Sequence, residues 1–298
     1  MKLFRQLACL AMITVLLAGC AAPVYEAQRD GGRLKIVATI FPVFDFTRHI
    51  VGGNADVTLL LRGGSAHDFD PSPADIRRVA DADLFIRTSD FAEPWSDVIV
   101  GSLGSAAPSV VSAAEGILTL TDHHGDRDPH VWLDPTLAAQ MVSAIADAVA
   151  AADSENADFY RENAAALTYS LLELDARIQA VVDASPVNAV AIADFNAYAY
   201  FMERYGLEYV TALDSCGKHA EPSFEQIRRF LGFVRHHELN AVFYSESTGR
   251  GMADMIAAET GADVLMFSTA HTAANPENDT YISIMNRNLQ NLEKGLTR

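Results

Sequence analysis

The chain has 298 residues, half of them hydrophobic, enough for two domains or one large one with a sizeable core. Its formal net charge of −17 argues against nucleic acid as a partner, because phosphate contacts need Lys and Arg. The same balance suits a protein that draws cations, although solvated surface accounts for most of it.

The first residues read as a targeting segment. Lys2 and Arg5 give a positive start, and Leu7 to Leu17 is an apolar run too short to span a bilayer. Leu17-Ala18-Gly19-Cys20 then matches the lipobox of bacterial lipoproteins, which implies cleavage before Cys20 and acylation of its thiol. A plain signal peptide with an incidental cysteine is the blander reading, disfavoured because the apolar run and the lipobox are in register. Residues 1–19 are therefore the leader and residues 20–32 a polar tether. Of three cysteines, Cys9 leaves with the leader and Cys20 carries lipid. Cys216 is left alone, which rules out an intrachain disulfide framework.

The mature chain alternates strands and helices. Leu34 to Ile40 is apolar and β-branched, a buried first strand ended by Phe41-Pro42. A helix follows over Val43–Val51, with Gly52-Gly53 as its stop. Val57–Leu61 is a strand running into the loop from Gly63 to Pro73. Ser72 and Asp75 form a capping box for a helix opening at Pro73. Leu84–Ile86 is a third strand. Thr136–Ala152 and about Asn156–Ala184 are helices, the second with a stripe of Leu167, Leu171, Leu174, Ile178 and Val181. A second set follows: strand Ala189–Ala193, helix Ala197–Tyr205 stopped by Gly206, short strand Glu208–Val210 and helix Pro222–His236. Strand Ala241–Tyr244, helix Met252–Thr260, strand Val264–Phe267 and a closing helix Tyr281–Leu296 complete it. This rhythm predicts an α/β fold of two parallel-sheet lobes joined by one long helix. The expected divisions are a lobe over 33–153, the connecting helix over 154–185 and a second lobe over 186–298.

Ligands in parallel α/β folds collect at the carboxyl ends of strands. Position therefore selects His67, His130, Asp194, Ser245, Glu246, Ser268 and His271. Imidazoles with one or two carboxylates suit Zn(II) or Mn(II). None of these residues has the short spacing of a zinc finger, so any such site is assembled from distant loops.

The stretch Asp128-Pro129-His130-Val131-Trp132-Leu133-Asp134-Pro135 resembles the signature of the metal-binding substrate-capture proteins of ABC importers, the zinc/manganese cluster. The resemblance extends over essentially the whole mature chain, and the closing helix shares the family pattern. "GGSAHDFDPSPADI" resembles the family's first-ligand loop, which implies that His67 is the first ligand and His130 the second. "DFNAYAYFMERYGL" resembles the segment that usually carries a third ligand, where this chain has Phe195. The usual fourth position falls on Ser268. A divergent branch of the family shares the Cys216, Glu221-Pro222-Ser223, Glu246 and His271 features. On that basis Glu246 and His271 stand in for the missing ligands, with Asp194 in reserve.

Each residue also has a bland reading. His271 could cap a turn, Glu246 could pair with Arg250, and Asp194 could be a strand-end hydrogen-bonder. His123 and His124 resemble a shortened His-rich loop, but two histidines chelate poorly and a solvated loop is the favoured reading. Cys216 with His219 offers too few ligands for a metal. His236 and His237 suit a helix C-terminus, and Trp132 suits packing beside the site. Three functions are compatible with these residues. The first is a lipid-anchored, monomeric, extracytoplasmic binding protein that delivers zinc, or else manganese or iron, to an ABC permease. The others are a metal-dependent surface hydrolase with Glu246 as general base, and an adhesin with incidental histidines. The strand-end placement of the histidines favours the first, which is not an enzyme.

Overall fold

Short β-branched runs build two separate parallel sheets. The computed structural model describes residues 32–64, 69–121, 125–213 and 221–297. In the first sheet β1 (Leu34–Ala38) lies between β2 (Ala55–Leu59) and β3 (Leu84–Arg87), with β4 (Ser109–Ser112) outside β3. The second sheet repeats that order: β5 (Ala189–Phe195) lies between β6 (Glu208–Leu213) and β7 (Ala241–Tyr244), with β8 (Asp263–Met266) outside β7. All the pairings in both sheets are parallel. Each sheet therefore has a switch point, between β1 and β3 and between β5 and β7, where α/β folds open a crevice at the strand ends.

The helices are set by local chemistry. Helix α1 (Phe41–Val51) begins two residues earlier than the sequence suggests, with Pro42 inside its first turn. Proline lacks only an N–H that the first turn leaves unused, so the residue expected to stop a strand instead starts a helix. Helix α2 (Pro73–Ala80) opens on the Ser72–Asp75 capping box. Helix α3 (Trp95–Leu103) and strand β4 are additions to the elements that the sequence suggests. The first has a Gly and two Ser in nine residues, and the second has only two apolar residues at a sheet edge. Helices α4 (Pro135–Ala152) and α5 (Ala157–Ala184) follow the apolar stripes closely. Helices α6 (Ala199–Tyr205), α7 (Phe224–His236), α8 (Gly251–Thr260) and α9 (Tyr281–Gly295) complete the second half. Gly206 ends α6 in left-handed backbone at φ 65°, as a Gly C-cap should.

Residues 33–298 form one compact unit. One apolar core runs from β1 and α1 through α4 and α5 into β5, β7 and α9. Helix α5 packs on α1 and α4 from the first half and on α6 and α9 from the second. Helix α4 is apolar and long enough to cross a membrane. Its Ala138, Met141, Val142, Ile145 and Val149 are instead spent in this core. A smaller cluster of Val37, Leu60, Val79, Phe85, Trp95 and Ile99 fills the opposite face of the first sheet. A core continuous across both halves resists relative movement of the sheets, because separating them would expose apolar surface.

Candidate metal centre

His130 is fixed by the residues on either side of it. It precedes a 3-10 turn, Val131–Leu133, whose three side chains are all buried. Asp134 then caps α4, its Oδ1 accepting from Thr136 N and Thr136 Oγ1, both at 2.7 Å. Upstream, Asp128 Oδ1 accepts from His130 N at 2.9 Å and lies 2.7 Å from His130 Nδ1. A carboxylate only accepts, so that contact puts a proton on Nδ1 and makes Nε2 the nitrogen that a metal would take. The imidazole is 1% exposed. It packs against Trp132 (centroids 5.3 Å apart) and Phe195 (6.3 Å).

His271 comes to the same place from the far end of the chain. It lies in the loop between β8 and α9 and is 5% exposed. Its ring centroid is 6.4 Å from that of His130, with the rings nearly perpendicular. Two imidazoles on one tetrahedral zinc hold their centroids roughly 5 Å apart, from a Zn–N bond of about 2 Å. The loop is built to hold this position. Trp132 Nε1 donates to Thr269 O at 2.8 Å, and Phe41 N donates to His271 O at 3.3 Å. Asn288 of α9 brackets Ser268, accepting from its N at 2.7 Å and donating to its O at 2.8 Å. Ala270 takes a left-handed φ of 54°, a strained conformation for a residue with a Cβ. Strain of this kind persists only where its surroundings enforce it, and here it adjoins His271.

The other candidates are placed as follows. Glu246 reaches this loop, but its Oε1 accepts from Thr269 Oγ1 at 2.6 Å and its Oε2 from Thr269 N at 3.1 Å. Arg250 pairs with Asp254 instead, at 2.7 Å. Asp194 is buried at the end of β5, where it accepts from Phe195 N at 2.7 Å and from Ser245 Oγ. Burial pushes its carboxyl up, opposed by the Ser245 hydrogen bond. It ties the ends of β5 and β7 together, the strand-end role. Ser268 Oγ accepts from Ala270 N at 3.0 Å and shapes the turn. His67, His123, His124, Cys216 and His219 lie outside the described residues, as does Cys20. Among the described residues no three His, Cys, Asp or Glu groups are clustered to hold a metal. The fold thus brings His130 and His271 together and leaves Glu246 on Thr269.

Asp128 was not singled out in the sequence. Its signal is the Asp-x-His spacing, which lets one carboxylate take both the backbone N–H and the ring N–H two residues on.

A family model described as ZnuA, zinc-uptake complex component A periplasmic, matches residues 36–295. The high-affinity zinc uptake system protein ZnuA of Bacillus subtilis is 29% identical over 315 residues, covering 99% of this chain and 98% of that protein. The zinc-binding lipoprotein AdcA of Streptococcus pneumoniae is 27% identical over 305 residues, covering 95% of this chain. The match spans 60% of that longer protein. Among solved structures, the laminin-binding protein Lmb of Streptococcus agalactiae superposes with a TM-score of 0.82 at 25% identity. That superposition covers 89% of this chain and all of Lmb, which is described as bifunctional, with adhesin and metal-transporting activity.

Proposed function

The chain belongs to the ZnuA family of zinc-uptake components, and from that premise we propose that it captures Zn(II) as cargo and delivers it to an ABC importer permease. The observation that carries the reading is the pair of buried imidazoles, His130 and His271, set face to edge at 6.4 Å. Neutral imidazole is a preferred zinc donor, and a largely protein-made shell suits an ion that is held and handed over rather than used in catalysis. His67 supplies a third donor, on the resemblance of its loop to the family's first-ligand loop. Glu246 supplies the fourth by releasing Thr269, or else stays as the brace of the His271 loop. Zinc is preferred to manganese because the donor set is rich in nitrogen and poor in carboxylate. The protein works as a monomer on the outer face of the cell membrane, held there by a lipidated Cys20. It is a binding component, not an enzyme.

The reading is tested in a strain lacking this gene, grown with a zinc chelator. The gene should restore growth and zinc uptake, the His130→Ala gene should not, and added zinc should bypass the need. Equal rescue by His130→Ala would refute the assignment of the site. Restoration by manganese but not zinc would refute the cargo.

A further inference from the structure

The loop carrying His271 is fastened a second time, from the other half of the molecule. Helix α1 packs on the first sheet, yet two of its residues reach the end of this loop. Asp45, its side chain 1% exposed, accepts from the backbone N of Tyr281 at 2.7 Å and so caps the first turn of α9. Arg48 pairs with the same carboxylate, Nε to Oδ1 at 2.8 Å. Its guanidinium then forks across three carbonyls in succession: Pro276 at 2.8 Å, Glu277 at 3.1 Å and Asp279. The start of the same helix holds the carbonyl of His271 through Phe41 N. Tyr281 in turn packs its ring on Phe46 at 5.0 Å and donates its hydroxyl to Trp132 O. One helix therefore grips the loop at His271 and again from Pro276 to Tyr281, close to the turn that carries His130.

Burying an ion pair costs desolvation, and this pair recovers it by satisfying backbone groups that the loop leaves without helix or sheet partners. The bracket fixes where the 271–281 segment sits against α1. We propose that Asp45 and Arg48 are positioning residues for metal capture, which fix His271 at its distance from His130 by tying the 271–281 segment to α1. Neither touches the ion. The inference rests on the proposed assignment of His271 as a donor.

The test is a double-mutant cycle read in zinc affinity, by competition against a chelating dye, with thermal midpoints recorded alongside. Arg48→Ala should weaken zinc binding about tenfold, as loss of an outer support of a metal ligand does. In a His271→Ala background it should add less than about twofold, because the group it positions is gone. In a His130→Ala background the tenfold effect should persist. Asp45→Asn keeps an acceptor for Tyr281 N and releases Arg48, so it should follow the same pattern and guards against a folding defect in the first variant. Unchanged affinity in Arg48→Ala and Asp45→Asn, or an equal loss with and without His271, overturns the proposal alone. A wild-type chain that takes no zinc, or His271→Ala binding as tightly as wild type, overturns the underlying site assignment and the proposal with it.

Discussion

Asp128→Asn is the substitution that most sharply separates an oriented metal ligand from a buried histidine. Asp128 Oδ1 is shared by His130 N at 2.9 Å and His130 Nδ1 at 2.7 Å. The carboxylate therefore fixes the ring's orientation and its tautomer, and its charge makes Nε2 a stronger donor. Losing a carboxylate behind a metal-bound imidazole costs about 10–100-fold in affinity, roughly 1.4–2.8 kcal/mol. Asparagine keeps an acceptor oxygen for both N–H groups and loses only the charge, so Asp128→Asn should sit near the tenfold end. Asp128→Ala also strands the backbone N–H of a residue that is 1% exposed, and should approach a hundredfold. The assay is competition for zinc against a chelating dye at fixed pH. Zinc affinity of Asp128→Asn within twofold of wild type would show that His130 is not a ligand oriented by Asp128.

Other consequences can be checked on the same preparations. Burial raises the carboxyl of Glu93 to about 7, opposed by hydrogen bonds from Ser89 N, Thr88 and Thr39. The folded state thus favours the protonated form, so this stability is fully present below about 4.5 and is lost progressively as pH rises towards 7. The loss is roughly 3 kcal/mol for a shift of this size. Denaturant titrations should show it in wild type and not in Glu93→Gln, and parallel pH profiles for the two would contradict the assignment. Gly295→Ala would set a Cβ into the ring of Phe243 and 3.3 Å from Ala241 Cβ. Unfolding should show about 1–3 kcal/mol of destabilisation from overpacking, and a raised thermal midpoint would mean that α9 can move away. Zinc at a thousand times its dissociation constant should add about 4 kcal/mol to stability. A chelator should reverse that gain, and a thermal midpoint indifferent to both would argue against a folded-state zinc site.

The fold was legible where local chemistry repeats. Ser72 with Asp75 marks its helix start in the sequence, and the stripe from Leu167 to Ile178 marks α5; the structure has both. The capping box at Ser223–Gln226 starts α7 at Phe224, two residues after the start that Pro222 suggests. Pro42 misled because proline ends a strand and opens a helix for the same reason, its missing N–H. Helix α3 was hidden by its Gly101 and its serines, although Trp95 and Ile99 are buried. The site was legible only in part. Position after the last strand singles out His271 and the Asp-Pro-His-Val-Trp stretch singles out His130, but their closeness is a tertiary fact that no spacing encodes. The partner of Glu246 is Thr269, and Arg48 joins Asp45 to carbonyls at Pro276, Glu277 and Asp279. Such side chains read in sequence as ordinary polar residues of a loop or helix face. Phe195, at the position that the resemblance gives to a third ligand, packs against His130 and sets an apolar ring on that side of the imidazole.

The most direct test of zinc capture is the metal content of the purified mature chain, measured by mass spectrometry without an affinity tag and followed by competition titration. One zinc per chain, bound more tightly than manganese and held much more weakly in His130→Ala and His271→Ala, is the predicted result. A wild-type chain with no stoichiometric metal, or one whose zinc survives both substitutions, would contradict it.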